Sequence, residues 1–211
     1  MISYRKVVRE LGTVVGGAID STAQAYAEGR VQQEPAFTDR MLGAIETAID
    51  NHIIRGIRWR AWTLSDRGRN AQEKRLGADF IGVFTVALPD FKVSKGFLAQ
   101  AKIAPVSSGA EHDRLREQCE KMLRFSAASF VFLYNQFCVR VVPAVSVLGV
   151  NDPSSLYSRS AQRFFEEHFQ CFIGDRRIIA GTLEELKLTQ RQLESEAAFL
   201  IRGGSDQQDL L

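Results

Sequence analysis

The chain has 211 residues, 45% of them hydrophobic and 25% charged, which is enough apolar material for one packed domain and excludes disordered and fibrous classes. Its 27 basic and 25 acidic residues leave a net charge of +2, so a nucleic-acid partner must be argued from local clustering and not from overall charge. Cys119, Cys138 and Cys171 are widely spaced with no C-x-x-C pair, which argues against a zinc site or disulfide framework and for a reduced, cytoplasmic protein. No run is long enough to span a membrane, and the N-terminus lacks the layout of a secretory signal.

Ile2 to about Ala27 reads as a helix interrupted at Gly16-Gly17. With the linker Glu28 to Gln33 it forms a helical extension over residues 1–33. From Ala36, the apolar residues Phe37, Met41, Ala44, Ile45, Ala48 and Ile49 recur at helical spacing, and Pro35 suits the first turn. Ile57 to Leu64 alternates Trp and Ile with Arg, the pattern of an edge or half-exposed strand. Ser65 to Arg75 is polar and contains glycine, hence a loop.

Two central strands are expected at about 79–88 and 96–104, joined by a turn around Pro89-Asp90-Phe91. Phe80, Ile81, Val83 and Phe84 put apolar side chains on both faces of the first, which implies burial on both sides. Leu115, Cys119, Met122 and Leu123 form the stripe of a helix over His112 to Ser126 that packs on the sheet. Phe130 to Tyr134 and Phe137 to Val142 read as a further strand pair and complete a core over residues 34–150. After the turn signal Asn151-Asp152-Pro153, Ala161, Phe164, Phe165 and His168 mark another helix, with His168 expected as a satisfied core residue. Leu183 to Phe199 reads as a last helix, giving a helical C-terminal part over 151–201 and a flexible tail over 202–211.

The central strands contain polar residues that need a reason to be there. Asp79 opens the first, and Gln100 and Lys102 share one face of the second. A buried charge is disfavoured unless it is paired or binds a metal. Asp79 alone reads as a turn or cap residue; opposite Gln100, Ala101 and Lys102 it reads as part of a site. An Asp on one strand and Q-x-K on the next, with a helix before and an amphipathic helix and strand after, resembles the PD-(D/E)XK nuclease superfamily in its Q-x-K variant. That resemblance covers roughly Glu34 to Val142. It implies an α/β fold with a restriction-endonuclease-like core, in which a mixed central sheet is flanked by helices.

It also implies a Mg²⁺-dependent endonuclease, with Mn²⁺ as a substitute metal, acting on DNA in defence or repair and acting as a homodimer where both strands are cut. Phosphodiester hydrolysis needs activated water, a Lewis acid and positive charge in the transition state. Asp79 offers a hard oxygen ligand and Gln100 a side-chain carbonyl, and by resemblance the Ala101 carbonyl is a third ligand. Lys102 orients water or contacts the phosphate. Because Gln100 replaces the usual second acid, another carboxylate is expected, in the order Glu34, Glu73, Glu46. Gln118, on the helix after the second central strand, reads either as facing the site, as a Gln there does in some similar nucleases, or as a surface residue, with the surface favoured.

Arg55, Arg58, Arg60, Arg67, Arg69, Lys74 and Arg75, interleaved with Trp59 and Trp62, form the basic cluster expected to contact backbone phosphates; a solvated strand and loop is the competing reading. His52, His112 and His168 have no partner at metal-ligand spacing, and no Walker, G-x-G-x-x-G or G-x-S-x-G motif is present. The rival functions are a non-catalytic nucleic-acid-binding or interaction module on the same fold, and a nuclease acting on RNA or single strands.

Overall fold

A computed structural model of the chain describes residues 4–65, 76–106, 109–150 and 152–204. Its elements in chain order are α1 (Tyr4–Ala27), α2 (Glu34–Ile49), β1 (His52–Ile54), β2 (Ile57–Ser65), β3 (Phe80–Leu88), β4 (Phe91–Ile103) and α3 (Gly109–Phe125). They continue with β5 (Ser129–Tyr134), β6 (Val139–Pro143), α4 (Ala144–Val147), β7 (Arg159–Ser160), α5 (Ala161–Phe169), α6 (Leu183–Gln192) and β8 (Ala197–Gly204). The strands form one eight-stranded mixed sheet in the order β1-β2-β8-β3-β4-β5-β6-β7, so the chain is α/β with helices flanking a central sheet. Among the described residues no helix is long and apolar enough to cross a membrane.

Alternation along the central strands divides the core in two. On one face Phe80, Phe84, Phe97, Phe132 and Phe199 pack with α1, α2 and α5; on the other Ile81, Val83, Leu98, Val131 and Leu200 pack with α3, α4 and α6. Phe97 is the hub of the first face, within ring-contact range of Phe80, Phe130, Phe132, Phe164, Phe165 and Phe199.

Several expectations need correction. Helix α1 is unbroken through Gly16-Gly17. Gly12 and Gly16 mark where α5 comes close, since a Cβ at Gly16 would lie 2.9 Å from Gln162 Cβ. Strand β2 is half-exposed as expected but is not an edge, because β1 covers one side and β8 the other. β4 starts at Phe91, directly after a two-residue turn at Pro89-Asp90. The segment expected as one helix to Phe199 instead ends α6 at Gln192 and then enters β8, which runs parallel to β3. The 151–201 region is therefore not wholly helical: it supplies a central strand, and Arg202 to Gly204, assigned to a flexible tail, belong to it. Residues 205–211 lie outside the described residues.

His168 lies in the aromatic face, with Nδ1 3.2 Å from the Ile173 carbonyl oxygen and Nε2 without a hydrogen-bond partner among the described residues. It is thus only half satisfied. Burial first, then the charge of nearby Lys95, lowers its pKa to about 3. A histidine held neutral by the fold contributes stability above its unfolded pKa of roughly 6.5, and that contribution is lost as pH falls toward the native value. Unfolding free energy should therefore fall with decreasing pH by up to about 1.4 kcal/mol per unit below about pH 6.5 from this group. Urea titrations should show a shallower dependence in His168→Phe.

Candidate active site

The site is built where β4 runs past the end of β3. Phe80 pairs with Ala99, so β3 offers no strand partner to Ala101 or Ile103. On its other side β4 continues along β5 as far as Ile103 opposite Tyr134. The backbone N–H groups of Ala101 and Ile103 are then taken by carboxylates: Ala101 N–H donates to Asp79 Oδ2 at 2.8 Å, and Ile103 N–H to Glu34 Oε2 at 3.1 Å. Buried backbone donors require such partners, and here they draw two acids to the sheet end.

Asp79 is fixed by its own backbone, its N–H donating to the Ala99 carbonyl at 2.8 Å and its carbonyl accepting from Ala197 N–H at 3.1 Å. The turn before it depends on Gly77, which has φ of +67° and abuts α3. Gln100 is 1% exposed; its Nε2 donates to Asp79 Oδ2 and, at 3.3 Å, to the Ala101 carbonyl. That orientation leaves Gln100 Oε1 buried with no hydrogen-bond partner among the described residues.

Glu34 is positioned by the first turn of α2, where Pro35 sits as expected and a carboxylate is favoured by the helix dipole. Phe37 stacks on Tyr134 with ring centroids 4.1 Å apart, and Thr38 Oγ1 lies 3.1 Å from the Tyr134 hydroxyl, which holds this turn against the end of β5. Glu34 Oε1 then accepts from Lys102 Nζ at 3.0 Å. Burial raises the Glu34 pKa, the Lys102 ammonium opposes that shift, and the charge of Asp79 adds to it.

These side chains open on a cleft of about 200 Å³ lined by Glu34, Pro35, Thr38, Asp79, Gln100, Lys102, Arg114, Gln118 and Glu196. The structure thus brings together Asp79, Gln100, Lys102 and Glu34, with the Ala101 backbone beside them. Arg114 and Gln118 come from successive turns of α3. Gln118, expected at the surface, is half-buried in the cleft, and its Oε1 also has no hydrogen-bond partner among the described residues. Cys119 faces the core instead, and burial pushes its thiol pKa up to about 12, which keeps it protonated and unsuited to nucleophilic or ligand roles.

Glu46 does not join the site. It accepts a hydrogen bond from Thr63 of β2 and lies twelve residues along α2 from Glu34, roughly 18 Å by helical rise. Glu73 and the basic residues Arg67, Arg69, Lys74 and Arg75 lie outside the described residues. In the rest of the expected basic cluster, Arg55 pairs with Glu10, Arg60 pairs with Asp50 at 2.8 Å and covers the Trp62 ring, and Arg58 is half-buried on β2. Trp59 is wholly buried against Phe84.

Glu196 is the acid that sequence reading missed. It precedes β8 as Asp79 precedes β3, and was hidden by extending the last helix through it. The continuous apolar run Ala197 to Ile201, closed by Gly203-Gly204, was the available signal for a buried strand. Comparison with protein-family models, curated proteins and solved structures finds no match to this chain.

Among the described residues no three His, Cys, Asp or Glu side chains form a ready-made metal cage. The cleft's donors are instead mixed oxygens: carboxylates from Asp79 and Glu196, and the unpartnered amide oxygens of Gln100 and Gln118. Such hard donors suit Mg²⁺ or Mn²⁺ better than zinc.

The Gly77 turn offers a test of how the site is supported. A Cβ at Gly77 would lie 2.7 Å from the Gln118 carbonyl oxygen, in backbone that L side chains rarely adopt. Gly77→Ala is expected to lower unfolding free energy by about 1–3 kcal/mol in urea titrations.

Proposed function

We propose that this chain is a Mg²⁺-dependent DNA endonuclease of the PD-(D/E)XK type, built on a restriction-endonuclease-like core. The observation that carries the reading is the convergence of Asp79, Gln100, Lys102 and Glu34 at the open end of β4, facing one cleft. The element order supports it too: α2, with β1 and β2 intervening, precedes the two strands β3 and β4 that bear the site, and α3 and β5 follow.

Asp79, Gln100 Oε1 and the Ala101 carbonyl are the groups that would hold the metal, with Mn²⁺ able to replace Mg²⁺. When bound, the ion supplies Lewis-acid polarisation of the phosphate and a lower pKa for a coordinated water. The protein's own residues do the rest. Lys102, anchored by Glu34, keeps its ammonium directed at the cleft, where it donates to the attacking water or to a phosphate oxygen and offsets the charge that builds there. Glu34 fixes the lysine rotamer and, by binding Ile103 N–H, ties it to the strand that carries Gln100. Arg114, exposed on the wall, contacts the DNA backbone, as do Arg67, Arg69, Lys74 and Arg75. Cutting both strands of a duplex calls for two such sites and hence a homodimer.

One feature favours a non-catalytic nucleic-acid-binding module on the same fold: Lys102 and Asp79 already have partners within the protein, so the site is partly self-satisfied without a ligand. Cleavage separates the readings. Plasmid and linear DNA should be cut with Mg²⁺ or Mn²⁺ and left intact with EDTA. Asp79→Ala and Lys102→Ala should each lose on the order of 100-fold or more in rate, while Glu46→Gln cuts like the wild type. Intact DNA under every metal condition, with salt-sensitive binding unchanged in both variants, would establish the binding module instead. The same assay on single-stranded DNA and RNA assigns the substrate.

A further inference from the structure

A divalent cation among hard oxygen ligands is favoured by more than one negative charge, and of the three groups named above to hold it, Asp79, Gln100 and the Ala101 carbonyl, only Asp79 is charged. Glu34 is committed elsewhere, one oxygen to Lys102 and the other to Ile103 N–H. Strand β8 brings another acid to the same place. Its parallel register with β3 sets Phe80 beside Ala197, so Asp79 and Glu196 stand side by side at the feet of neighbouring strands, about 4.8 Å apart in strand spacing.

Their faces agree as well. Ala198 and Leu200 share one apolar cluster with Ile81 and Val83, so by alternation Glu196 and Asp79 project on that same side, and both line the cleft. The backbone between them is tightly held. Ser195 Oγ lies 3.2 Å from the Asp79 carbonyl oxygen and 2.8 Å from that of Ala197, and Gln190 Nε2 donates to the Glu196 carbonyl at 3.2 Å. A separate observation points to a ligand at this spot. Gln100, 1% exposed, turns its amide nitrogen to Asp79 and leaves Oε1 without a hydrogen-bond partner among the described residues, which is the kind of buried acceptor a hard cation satisfies.

We propose that Glu196 is the second carboxylate ligand of the divalent cation, an inference that rests on the nuclease reading above. The acid absent at position 100 is thereby supplied from β8, and Glu34 remains free to position Lys102.

Mn²⁺ binding to the full chain without DNA, followed by electron paramagnetic resonance, tests this independently of cleavage. The comparison uses wild type, Glu196→Gln, Asp79→Asn and Glu184→Gln, each with its fold checked by circular dichroism. Glu184 is an exposed acid of α6, so its variant controls for loss of one charge. Glu196→Gln should weaken Mn²⁺ binding on the order of tenfold or more, and Glu184→Gln should bind as wild type does. If Glu196→Gln binds Mn²⁺ as tightly as wild type while Asp79→Asn does not, Glu196 is not a ligand and the nuclease reading is untouched. If the wild type itself binds no Mn²⁺, both fall together. Glu196→Ser takes the place of the glutamine variant should that variant not fold, with the same two outcomes.

Discussion

Strand β4 extends beyond β3, and the site follows from that mismatch. Ala101, which is buried, and Ile103, which is half-buried, turn their N–H groups toward a side of the sheet where no strand partner exists. A buried backbone donor left unpaired is costly, on the order of 1–3 kcal/mol, so acceptors must be brought to it. Two carboxylates serve, Asp79 from the foot of β3 and Glu34 from the start of α2. Their negative charge in turn gives Lys102 a partner inside the protein, and Asp79 gives Gln100 one. The same hydrogen bonds that complete the sheet thus assemble the polar groups that nuclease chemistry would use.

Everything around this end of the sheet serves to hold it still. Asp79 is tied on both sides, to β4 through Ala99 and to β8 through Ala197 and Ser195. Glu34 is held by aromatic stacking and a hydroxyl contact between α2 and β5. The wall opposite is α3, close enough to the turn before Asp79 that only glycine fits at position 77. Side chains locked in this way lose little freedom when a ligand arrives, which is the condition for an electrostatic site to act without reorganising.

Much of this was legible in the sequence. The spacing of Phe37, Met41, Ile45 and Ile49 located α2, and Asp79 opposite Gln100 and Lys102 located the site. Glu34 was ranked first as the acid to complete a metal shell; it does lie at the cleft, but its two oxygens are engaged by Lys102 and Ile103 N–H. What escaped was governed by contacts distant in sequence. β2 looked like an edge because its neighbour β8 arrives some 130 residues later. β8 itself was absorbed into the preceding helix, since only four residues separate α6 from its apolar run and a short apolar run has no period of its own. Glu196 was lost with it. The start of β4 was obscured by Lys95, a charge at an inward position that is tolerated because its ammonium donates to the Ile173 carbonyl at 2.5 Å. Gly16-Gly17 suggested a break because the sequence does not show that α5 packs close to α1 at Gly16; nothing in the structure calls for the glycine at position 17.

A divalent-cation site formed by the oxygens at the open end of β4 would be visible in crystals. Crystals soaked in Mn²⁺ and measured at an X-ray energy where manganese scatters anomalously would locate the ion directly. A peak is expected in the cleft, in contact with Asp79 and Gln100. An intact cleft without a peak, or Mn²⁺ bound only at other carboxylates, would contradict such a site.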